Sequence, residues 1–318
     1  MSKLEELVKE AHSIAISGHI RPDGDCIGSV LATCQYLKKN TPDKEVRVFL
    51  ESPGPEFSCI QGIEEIDTQM ESEKVYDLFF ILDCSLDRIG KALPIAQRAK
   101  KRINIDHHIS NEGTGDINIL EPMASSTSEV VFGLMDVTKL DEEIAKALYL
   151  GLVHDTGVFK YSNTSPRTLR IAAELISFGF DFPKLIDETF YEMTYEQNQI
   201  LGRALTSSRR ILENRCIVSV VEASQMEECG VTPGDLDGVV SQLRITKGVE
   251  CAVFLYQTGE QEYKVSLRSN HYVNVAEIAA SFGGGGHIRA AGCSMVGSPP
   301  EIIEQVAKRI ALQLKKEE

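Results

Sequence analysis

The sequence lacks features that would each place it in a distinct class of protein. It has no apolar run near the ~18 residues that a membrane-spanning helix needs. Its N-terminus, MSKLEELVKEAH, predicts a charged amphipathic helix instead of a signal peptide, which argues against export. Its eight cysteines form no C-x-x-C pair, and most lie in apolar runs such as FFILDCS. We therefore expect a cytoplasmic protein whose cysteines are buried free thiols.

Positive charge is also scarce. The chain has 33 basic and 47 acidic residues, which gives a net charge of −14. That balance opposes non-specific binding to long nucleic acids, although metal ions or a local arginine cluster can still supply positive charge for a phosphate. The chain is 42% hydrophobic and 25% charged, as in ordinary globular proteins, and its 318 residues are enough for two domains with separate cores.

Short apolar runs alternate with amphipathic stretches in the first 190 residues. The apolar runs predict strands at 13–19, 44–50, 76–85 and 101–108. The amphipathic stretches predict helices at 26–39, 93–101, 126–137, 141–156 and 165–179. This alternation predicts an α/β domain over residues 1–190, with a doubly wound, mainly parallel sheet that is covered on both faces.

The rest of the chain predicts a second domain of a different kind. Residues 191–210 are polar and helix-prone and predict a helical connector, whereas residues 211–318 predict a smaller mixed α/β domain. Its predicted strands are 213–222, 249–257 and 262–269, and its predicted helices are 235–244, 274–282 and 299–318.

A histidine and two aspartates follow the first predicted strand. His19, Asp23 and Asp25 lie within seven residues, in SGHIRPDGDCIG, between a strand and a helix. Open α/β sheets bind ligands at that edge, and a tight turn can direct all three side chains at a cation. The alternative is that Asp25 serves only as the N-cap of a helix that starts at Cys26.

Further acids and histidines occupy the ends of later strands and one helix. Asp83 ends DLFFILD, Asp106 with His107 and His108 ends RINIDHH, and Asp155 lies in ALYLGLVHDTG. So many such positions in one domain favour a metal site over isolated core residues. Imidazole and carboxylate ligands without thiolate suit borderline-hard divalent ions such as manganese. Six ligands with one bridging carboxylate would form a two-metal phosphoryl-transfer site.

These motifs resemble those of the DHH phosphoesterase family. INIDHH is similar to the Asp-His-His signature, and the order H-x-x-x-D-x-D, Asp83, DHH, Asp155 follows the family's four motifs. The segment SSTSE (125–129) resembles the S-S-T-x-E segment that follows the signature. VSLRS (265–269) and GGGGHIRAAG (283–292) resemble the two marks of the DHH-associated domain of RecJ-type enzymes and oligonucleotide phosphodiesterases. The resemblance covers both predicted domains.

The resemblance implies a role for each of these residues. It implies a pair of Mn²⁺ ions, replaceable by Mg²⁺ or Co²⁺, that are bound by His19, Asp23, Asp25, Asp83, His107 and Asp155. Asp83 would bridge the two ions. The catalytic set would be Asp83, Asp106, His107 and His108. His108 would orient or protonate a phosphate oxygen, and Asp106 would hold His107 in the correct tautomer.

The resemblance also implies that the second domain binds the substrate, with the active site in the cleft between the domains. The implied contacts are Arg268, Gly283, Gly284, Gly285, Gly286, His287 and Arg289. Glycines allow close approach of the backbone, so that amide N–H groups can point at an anion, and an arginine adds a charge-assisted hydrogen bond. A flexible turn is the alternative for the glycine run, and a solvated helix start is an equal alternative for Arg289.

The length of the chain narrows the range of substrates that the resemblance implies. A compact two-domain chain without membrane segments resembles, within this family, the bacterial oligoribonuclease/pAp phosphatases (nanoRNases). That resemblance implies hydrolysis of short RNAs, from dinucleotides to pentanucleotides, and removal of the 3′-phosphate from 3′-phosphoadenosine 5′-phosphate (pAp). The alternatives are a soluble phosphodiesterase of dinucleotides such as pApA or cyclic di-AMP, and a non-catalytic nucleotide-binding protein. We expect neither a membrane nor a long duplex as a partner, and whether the chain forms a homodimer stays open.

Overall fold

The computed structural model describes residues 1–315, which fall into two compact units, one over residues 1–192 and one from residue 193 onward. The last three residues of the predicted helix 299–318 lie outside the described residues. Up to residue 315, no helix has both the length and the apolar character needed to cross a membrane. All eight cysteines are free, and six of them are buried.

A five-stranded parallel sheet forms the centre of the first unit. Its strands are β1 (Ser13–Ser17), β2 (Glu45–Val48), β3 (Leu78–Leu82), β4 (Lys101–Asp106) and β5 (Ile117–Leu120), in the order β2-β1-β3-β4-β5. This sheet confirms the predicted fold class. Strand β5 was not predicted, because this edge strand is only partly buried and has no continuous apolar run.

Successive residues of the central strands pack on opposite faces of this sheet. Ile14 and Ile16 of β1 join the larger core with the long helices, whereas Ala15 joins a second core. In β3, Phe80 lies in the first core and Phe79 in the second. Burial on both faces explains why these strands are continuous apolar runs in the sequence.

Seven helices accompany this sheet within the described part of the first unit. They are α1 (Lys3–Leu7), α2 (Gly24–Asn40), α3 (Leu93–Arg98), α4 (Thr127–Phe132), α5 (Glu142–Thr156), α6 (Pro166–Ile176) and α7 (Phe182–Ile186). A π-helical turn, Asp187–Tyr191, follows α7. Helix α4 is shorter than the predicted 126–137, and Ser126 is its N-cap.

The strand order creates a crevice at one end of the sheet. Strand β1 lies between β2 and β3. The next two strands along the chain are therefore added on opposite sides of β1. Ligands of open α/β sheets bind where the strand order reverses in this way, beyond the carboxyl ends of the strands. His19 follows β1 and Asp83 follows β3, which places both residues at this position.

The second unit contains a mixed six-stranded sheet. Its strands are β6 (Arg209–Ile211), β7 (Cys216–Val221), β8 (Cys251–Gly259), β9 (Glu262–Ser269), β10 (Gly285–His287) and β11 (Ala290–Val296), in the order β10-β11-β9-β8-β7-β6. Only β7 and β8 are parallel neighbours among these strands. Its helices are α8 (Tyr195–Thr206), α9 (Ala223–Cys229), α10 (Val239–Arg244), α11 (Val275–Ala280) and α12 (Pro299–Leu314).

Three strands of the second unit were not predicted. Strand β6 begins at Arg209, inside the stretch 191–210 for which the sequence indicates helix alone. Strands β10 and β11 contain mostly glycine and small residues, which carry little apolar signal. Pairing with β9 stabilises β11 as a strand, and β10 in turn pairs with β11. Tertiary contact therefore outweighs weak local propensity here.

Candidate metal centre

The first motif spans the end of β1 and the first turn of α2. Asp23 is the N-cap of α2, because its Oδ1 accepts the N–H groups of Asp25 and Cys26, both at 3.1 Å. The alternative that Asp25 caps this helix is therefore wrong. His19 is buried, and its Nε2 lies 3.5 Å from Asp23 Oδ1 and 3.4 Å from Asp83 Oδ2.

Asp25 is fully buried against the start of α4. Its Oδ2 accepts the N–H of Thr127 at 2.6 Å, and its Oδ1 accepts the N–H of Ser128 at 2.9 Å. The first amides of a helix have no partner within the helix, so they are available to a carboxylate. The sequence analysis assigned SSTSE no such role, although Ser126 followed by Glu129 is a signal for a helix start.

Asp83 has an unusual backbone conformation directly after β3. Its φ is 61°, in the left-handed region that non-glycine residues rarely adopt but aspartate tolerates. The carboxylate is buried, and its Oδ1 accepts a hydrogen bond from Thr127 Oγ1 at 2.9 Å. Asp83 belongs to two sets of side chains whose ligand atoms lie within 4.8 Å of one another, one with His19 and one with His107. It is therefore the link between the first motif and the DHH motif.

His107 directs one ring nitrogen at a group of carboxylates. Its Nδ1 lies 3.3 Å from the carbonyl oxygen of Ala124, which it can contact as an N–H donor. Its buried Nε2 lies 2.9 Å from Asp155 Oδ2. Asp25, His107 and Asp155 have ligand atoms within 4.8 Å of one another. A buried ring nitrogen that faces carboxylates, with the other ring nitrogen at a backbone carbonyl, is typical of a metal ligand.

Asp106 orients His108, not His107 as the resemblance implied. Its Oδ1 accepts a hydrogen bond from His108 Nδ1 at 2.7 Å, and it also accepts the backbone N–H of His107. Asn111 Nδ2 donates to Asp106 Oδ2 at 2.6 Å. The hydrogen bond that His108 donates to Asp106 raises the pKa of His108. The expected tautomer control of His107 by Asp106 is wrong, because the ring of His107 contacts Ala124 instead.

The centre has more negative charge than its own side chains can balance. Burial, and then the charges of Asp83 and Asp155, raise the pKa of Asp25 well above its ordinary value. Burial and Asp83 also raise the pKa of Asp155. Burial favours the neutral form of His19, but hydrogen bonds to Asp23 and Asp83 outweigh it and raise its pKa to about 10. A bound cation favours the anionic form of carboxylates whose pKa is raised in this way.

The donor set fits divalent metal ions. All six predicted metal ligands lie along one series of short contacts in the first unit, from Asp23 and His19 through Asp83 to His107, Asp155 and Asp25. Imidazole nitrogens and carboxylate oxygens dominate it. Cys26 also lies near His19 and Asp83, which the sequence analysis did not foresee. Burial raises the pKa of the Cys26 thiol well above its ordinary value.

In the second unit, strand register brings two of the predicted substrate contacts near each other. His287 on β10 pairs with Ala290 on β11, and Ala290 pairs with Arg268 on β9. Paired residues share a face of a sheet, so His287 and Arg268 lie on one face, two strands apart. The guanidinium of Arg289 donates to the backbone carbonyls of Val273 and His271, so it orders the segment 271–273.

The structure requires glycine at some of the four positions before His287 but not at all of them. Gly283 and Gly286 have positive φ values of 76° and 141°. A Cβ on Gly284 would come within 2.2 Å of the carbonyl oxygen of Gly292. Gly285 has open space around the position of a Cβ and no positive φ. Chain folding therefore explains three of the glycines, whereas neither backbone conformation nor crowding requires a glycine at position 285.

Comparison with known proteins identifies the family. The model of the DHH family N-terminal domain matches residues 13–152, and the DHHA1 domain model matches residues 213–316. The chain belongs to the DHH family, as its motifs predict. The bifunctional oligoribonuclease and PAP phosphatase NrnA of Thermus thermophilus is 31% identical over 301 residues, which cover 93% of this chain and 89% of the relative. The Bacillus subtilis protein of the same name is 28% identical over 291 residues, 89% of each chain.

A solved structure shows the same fold over almost the full length. The exopolyphosphatase-related protein from Bacteroides fragilis is 26% identical, with a TM-score of 0.86 over 97% of this chain and 95% of that chain. The similarity therefore extends over both the DHH and the DHHA1 regions of the chain.

Proposed function

We propose that the protein is a metal-dependent phosphoesterase that hydrolyses short oligoribonucleotides to mononucleotides and removes the 3′-phosphate of pAp. The observation that carries this proposal is the convergence of six His and Asp ligands on one edge of a parallel sheet. The proposal is supported by sequence similarity to relatives named as bifunctional oligoribonuclease and PAP phosphatase. This similarity covers most of this chain and most of each relative.

The ligands would hold two divalent ions, Mn²⁺ with Mg²⁺ or Co²⁺ as substitutes, with Asp83 between them. Such ions would neutralise phosphate oxygens and make an attacking water more acidic. The residues around the ions have separate tasks. His19 and His107 would supply nitrogen ligands, and the backbone N–H groups of Thr127 and Ser128 hold Asp25 in place.

His108 is the histidine that we assign to the phosphate. Its side chain is 41% exposed, against 8% for His19 and 14% for His107, so a substrate can reach it. Because Asp106 accepts its Nδ1–H and raises its pKa, the ring is held protonated over a wider range of pH than a free histidine. It can then donate through Nε2 to a phosphate oxygen or to the departing oxygen.

Arg268, His287 and the glycine run would bind the phosphate or terminal base of the substrate. Few positive contacts suffice for a short oligonucleotide, because it carries few phosphates. The net charge of −14 opposes the long basic groove that a long nucleic acid would need.

One set of assays tests this function. Protein loaded with Mn²⁺ is compared on a labelled dinucleotide, a 24-mer RNA, pAp and cyclic di-AMP, with a chelated sample as control. We expect turnover of the dinucleotide and pAp, slow or no turnover of the 24-mer, and no activity after exhaustive chelation.

Each other outcome has a defined meaning. Preference for cyclic di-AMP would replace the proposal with a cyclic-dinucleotide phosphodiesterase. Binding of the nucleotides without turnover at any metal concentration would indicate a nucleotide-binding protein. Full turnover after chelation would refute the metal-dependent mechanism.

A further inference from the structure

Thr127 contacts two carboxylates of the metal centre through two different groups. Its backbone N–H donates to Asp25 Oδ2 at 2.6 Å, and its hydroxyl Oγ1 donates to Asp83 Oδ1 at 2.9 Å. Asp25 belongs to the group of ligand atoms with His107 and Asp155, and Asp83 to the group with His19. One residue that is itself no metal ligand therefore connects both parts of the centre.

The hydroxyl of Thr127 makes the shortest contact to the Asp83 side chain within residues 1–315. It lies 2.9 Å from Oδ1, whereas the nearest histidine nitrogens, His19 Nε2 among them, lie 3.4 to 3.8 Å from the carboxylate. Thr127 is 0% exposed, so water cannot easily replace its hydroxyl.

The position of Thr127 is itself fixed by the fold. It is the first residue of α4, and Ser126 caps this helix by accepting the N–H of Glu129 at 3.1 Å. Buried Glu129 accepts hydrogen bonds from Ser125 and Thr168 and pairs with Arg167, which attaches the start of α4 to α6. The donor that holds Asp83 therefore stands on a rigid support, as the partners of metal ligands generally do.

We propose that Thr127 is a positioning residue that fixes the separation and orientation of Asp25 and Asp83, and with them the geometry of the two-ion site. This inference rests on the proposed metal centre. The hydroxyl sets the rotation of the Asp83 carboxylate, and the amide sets Asp25. Thr127 touches neither substrate nor metal, and it acts through the two aspartates.

The test separates the hydroxyl from the rest of the side chain. Thr127→Val keeps the shape and the amide but removes the hydroxyl, and Thr127→Ser keeps the hydroxyl. The matched control is Thr33→Val, because Thr33 is equally buried and its hydroxyl donates to the carbonyl of Ser29 within α2, away from the ligands. Each protein is stripped of metal and titrated with Mn²⁺ by calorimetry, and the magnetic coupling of the bound ions is followed by electron paramagnetic resonance.

We expect Thr127→Val to bind the second Mn²⁺ about 10- to 100-fold more weakly and to show altered coupling, the range typical for lost partners of metal ligands. Thr127→Ser should restore both signals, and Thr33→Val should match the wild type in both. Wild-type affinity and coupling in Thr127→Val would overturn the positioning role while leaving the metal centre intact. Equal loss of metal in Thr33→Val would also overturn it, because loss of any buried hydroxyl would then suffice. Failure of the wild type to bind Mn²⁺ would instead refute the metal centre and this inference with it.

Discussion

Asp83 belongs to two groups of ligand atoms in the candidate metal centre, one with His19 and one with His107. It is buried at the carboxyl end of β3, has a φ of 61°, and accepts a hydrogen bond from Thr127. Asparagine adopts the same backbone region as readily as aspartate. Asp83→Asn therefore removes the charge and one ligand oxygen with little backbone strain.

We expect Asp83→Asn to lose one equivalent of bound metal and nearly all turnover while it stays folded. The apolar residues of the sheet carry most of the stability, so the defect is chemical. Metal is counted by atomic emission after gel filtration, and folding is checked by circular dichroism. Asp87→Asn, an exposed position in the same loop, serves as the control and should behave as the wild type. Two tightly bound ions in Asp83→Asn would contradict the bridging role.

Asp106 provides a second test at the residue scale, because the structure pairs it with His108. In Asp106→Asn the amide group has no negative charge to hold His108, and one of its two ends becomes a donor facing Asn111 or a backbone N–H. We expect kcat on a dinucleotide to fall about 10- to 100-fold with little change in KM or in metal content. Steady-state kinetics with metal counting measures this. A loss confined to KM, or a loss of metal, would show that His108 does not act as proposed.

At the scale of elements, helices α2, α4 and α5 meet behind the ligands with almost no spare space. A Cβ on Gly151 of α5 would come within 2.4 Å of Asp25 Oδ1 and 2.0 Å of Ser128 Oγ. A Cβ on Gly28 of α2 would come within 2.4 Å of the carbonyl oxygen of Ala147. The packing of these helices and the placement of Asp25 are therefore coupled.

Gly151→Ala should displace Asp25 and weaken both metal binding and turnover, in addition to an overpacking cost of about 1–3 kcal/mol. The control is Gly202→Ala on α8, where no heavy atom lies within 4 Å of the new methyl group. That variant should keep full activity and gain up to about 1 kcal/mol of stability. Calorimetric metal titration and thermal unfolding measure both effects. Normal Mn²⁺ affinity in Gly151→Ala would show that Asp25 tolerates the shift.

Asp77 ties together the amino ends of three strands, on the side of the sheet away from the ligands. Its carboxylate accepts the N–H groups of His12 and Ser13, at 2.9 and 3.0 Å, and lies 2.7 Å from Lys100 Nζ. The ion pair with Lys100 and the amide hydrogen bonds hold the pKa of Asp77 well below its usual value. A lowered folded pKa means that this stabilisation is complete above the unfolded value of about 3.9 and is lost as the pH falls below it.

Asp77→Asn should therefore lower the free energy of unfolding by about 1 kcal/mol at neutral pH, because the lysine partner is largely exposed. The difference from the wild type should shrink steadily below about pH 4. Urea unfolding at several pH values measures it, with the exposed Asp43→Asn as control. A difference that stays constant down to strong acid would show that the charge of Asp77 contributes nothing.

At the scale of the whole molecule, all candidate metal ligands lie in the first unit and the candidate substrate contacts lie in the second. This arrangement predicts that binding and chemistry can be separated by mutation. Arg268→Ala should keep full metal content and raise KM for a dinucleotide, because a charge-assisted hydrogen bond contributes about 1.5–3 kcal/mol.

Kinetics on a dinucleotide and on bis-p-nitrophenyl phosphate test this division. The dinucleotide should suffer the larger loss, since the small phosphodiester has no second nucleotide to bind. Gly285→Ala offers a milder version, because the fold leaves room for its methyl group and only a bound ligand would meet it. Equal losses on both substrates, or loss of metal in Arg268→Ala, would refute the division of labour.

The sequence by itself determined the fold class and the ligand candidates. Buried parallel strands produce continuous apolar runs, and residues that end such strands meet at one edge of the sheet. His19, Asp83 and His107 could be placed together for that reason alone, since each follows its own strand. The sequence also identified the glycine run as a place where the backbone can approach a ligand closely. It could not show that the fold requires glycine at its neighbours but not at position 285.

Only the tertiary structure decided how these residues are held. Thr127 and Asp25 are 102 residues apart in the sequence, and no local pattern indicates that the start of one helix fixes a carboxylate of another. The partner of Asp106 depended on which way two adjacent histidine rings turn. The existence of β11 depended on pairing with β9, and that of β10 on pairing with β11. Local spacing specifies which groups approach a site, whereas their orientation depends on packing between distant segments, which sequence periodicity does not encode.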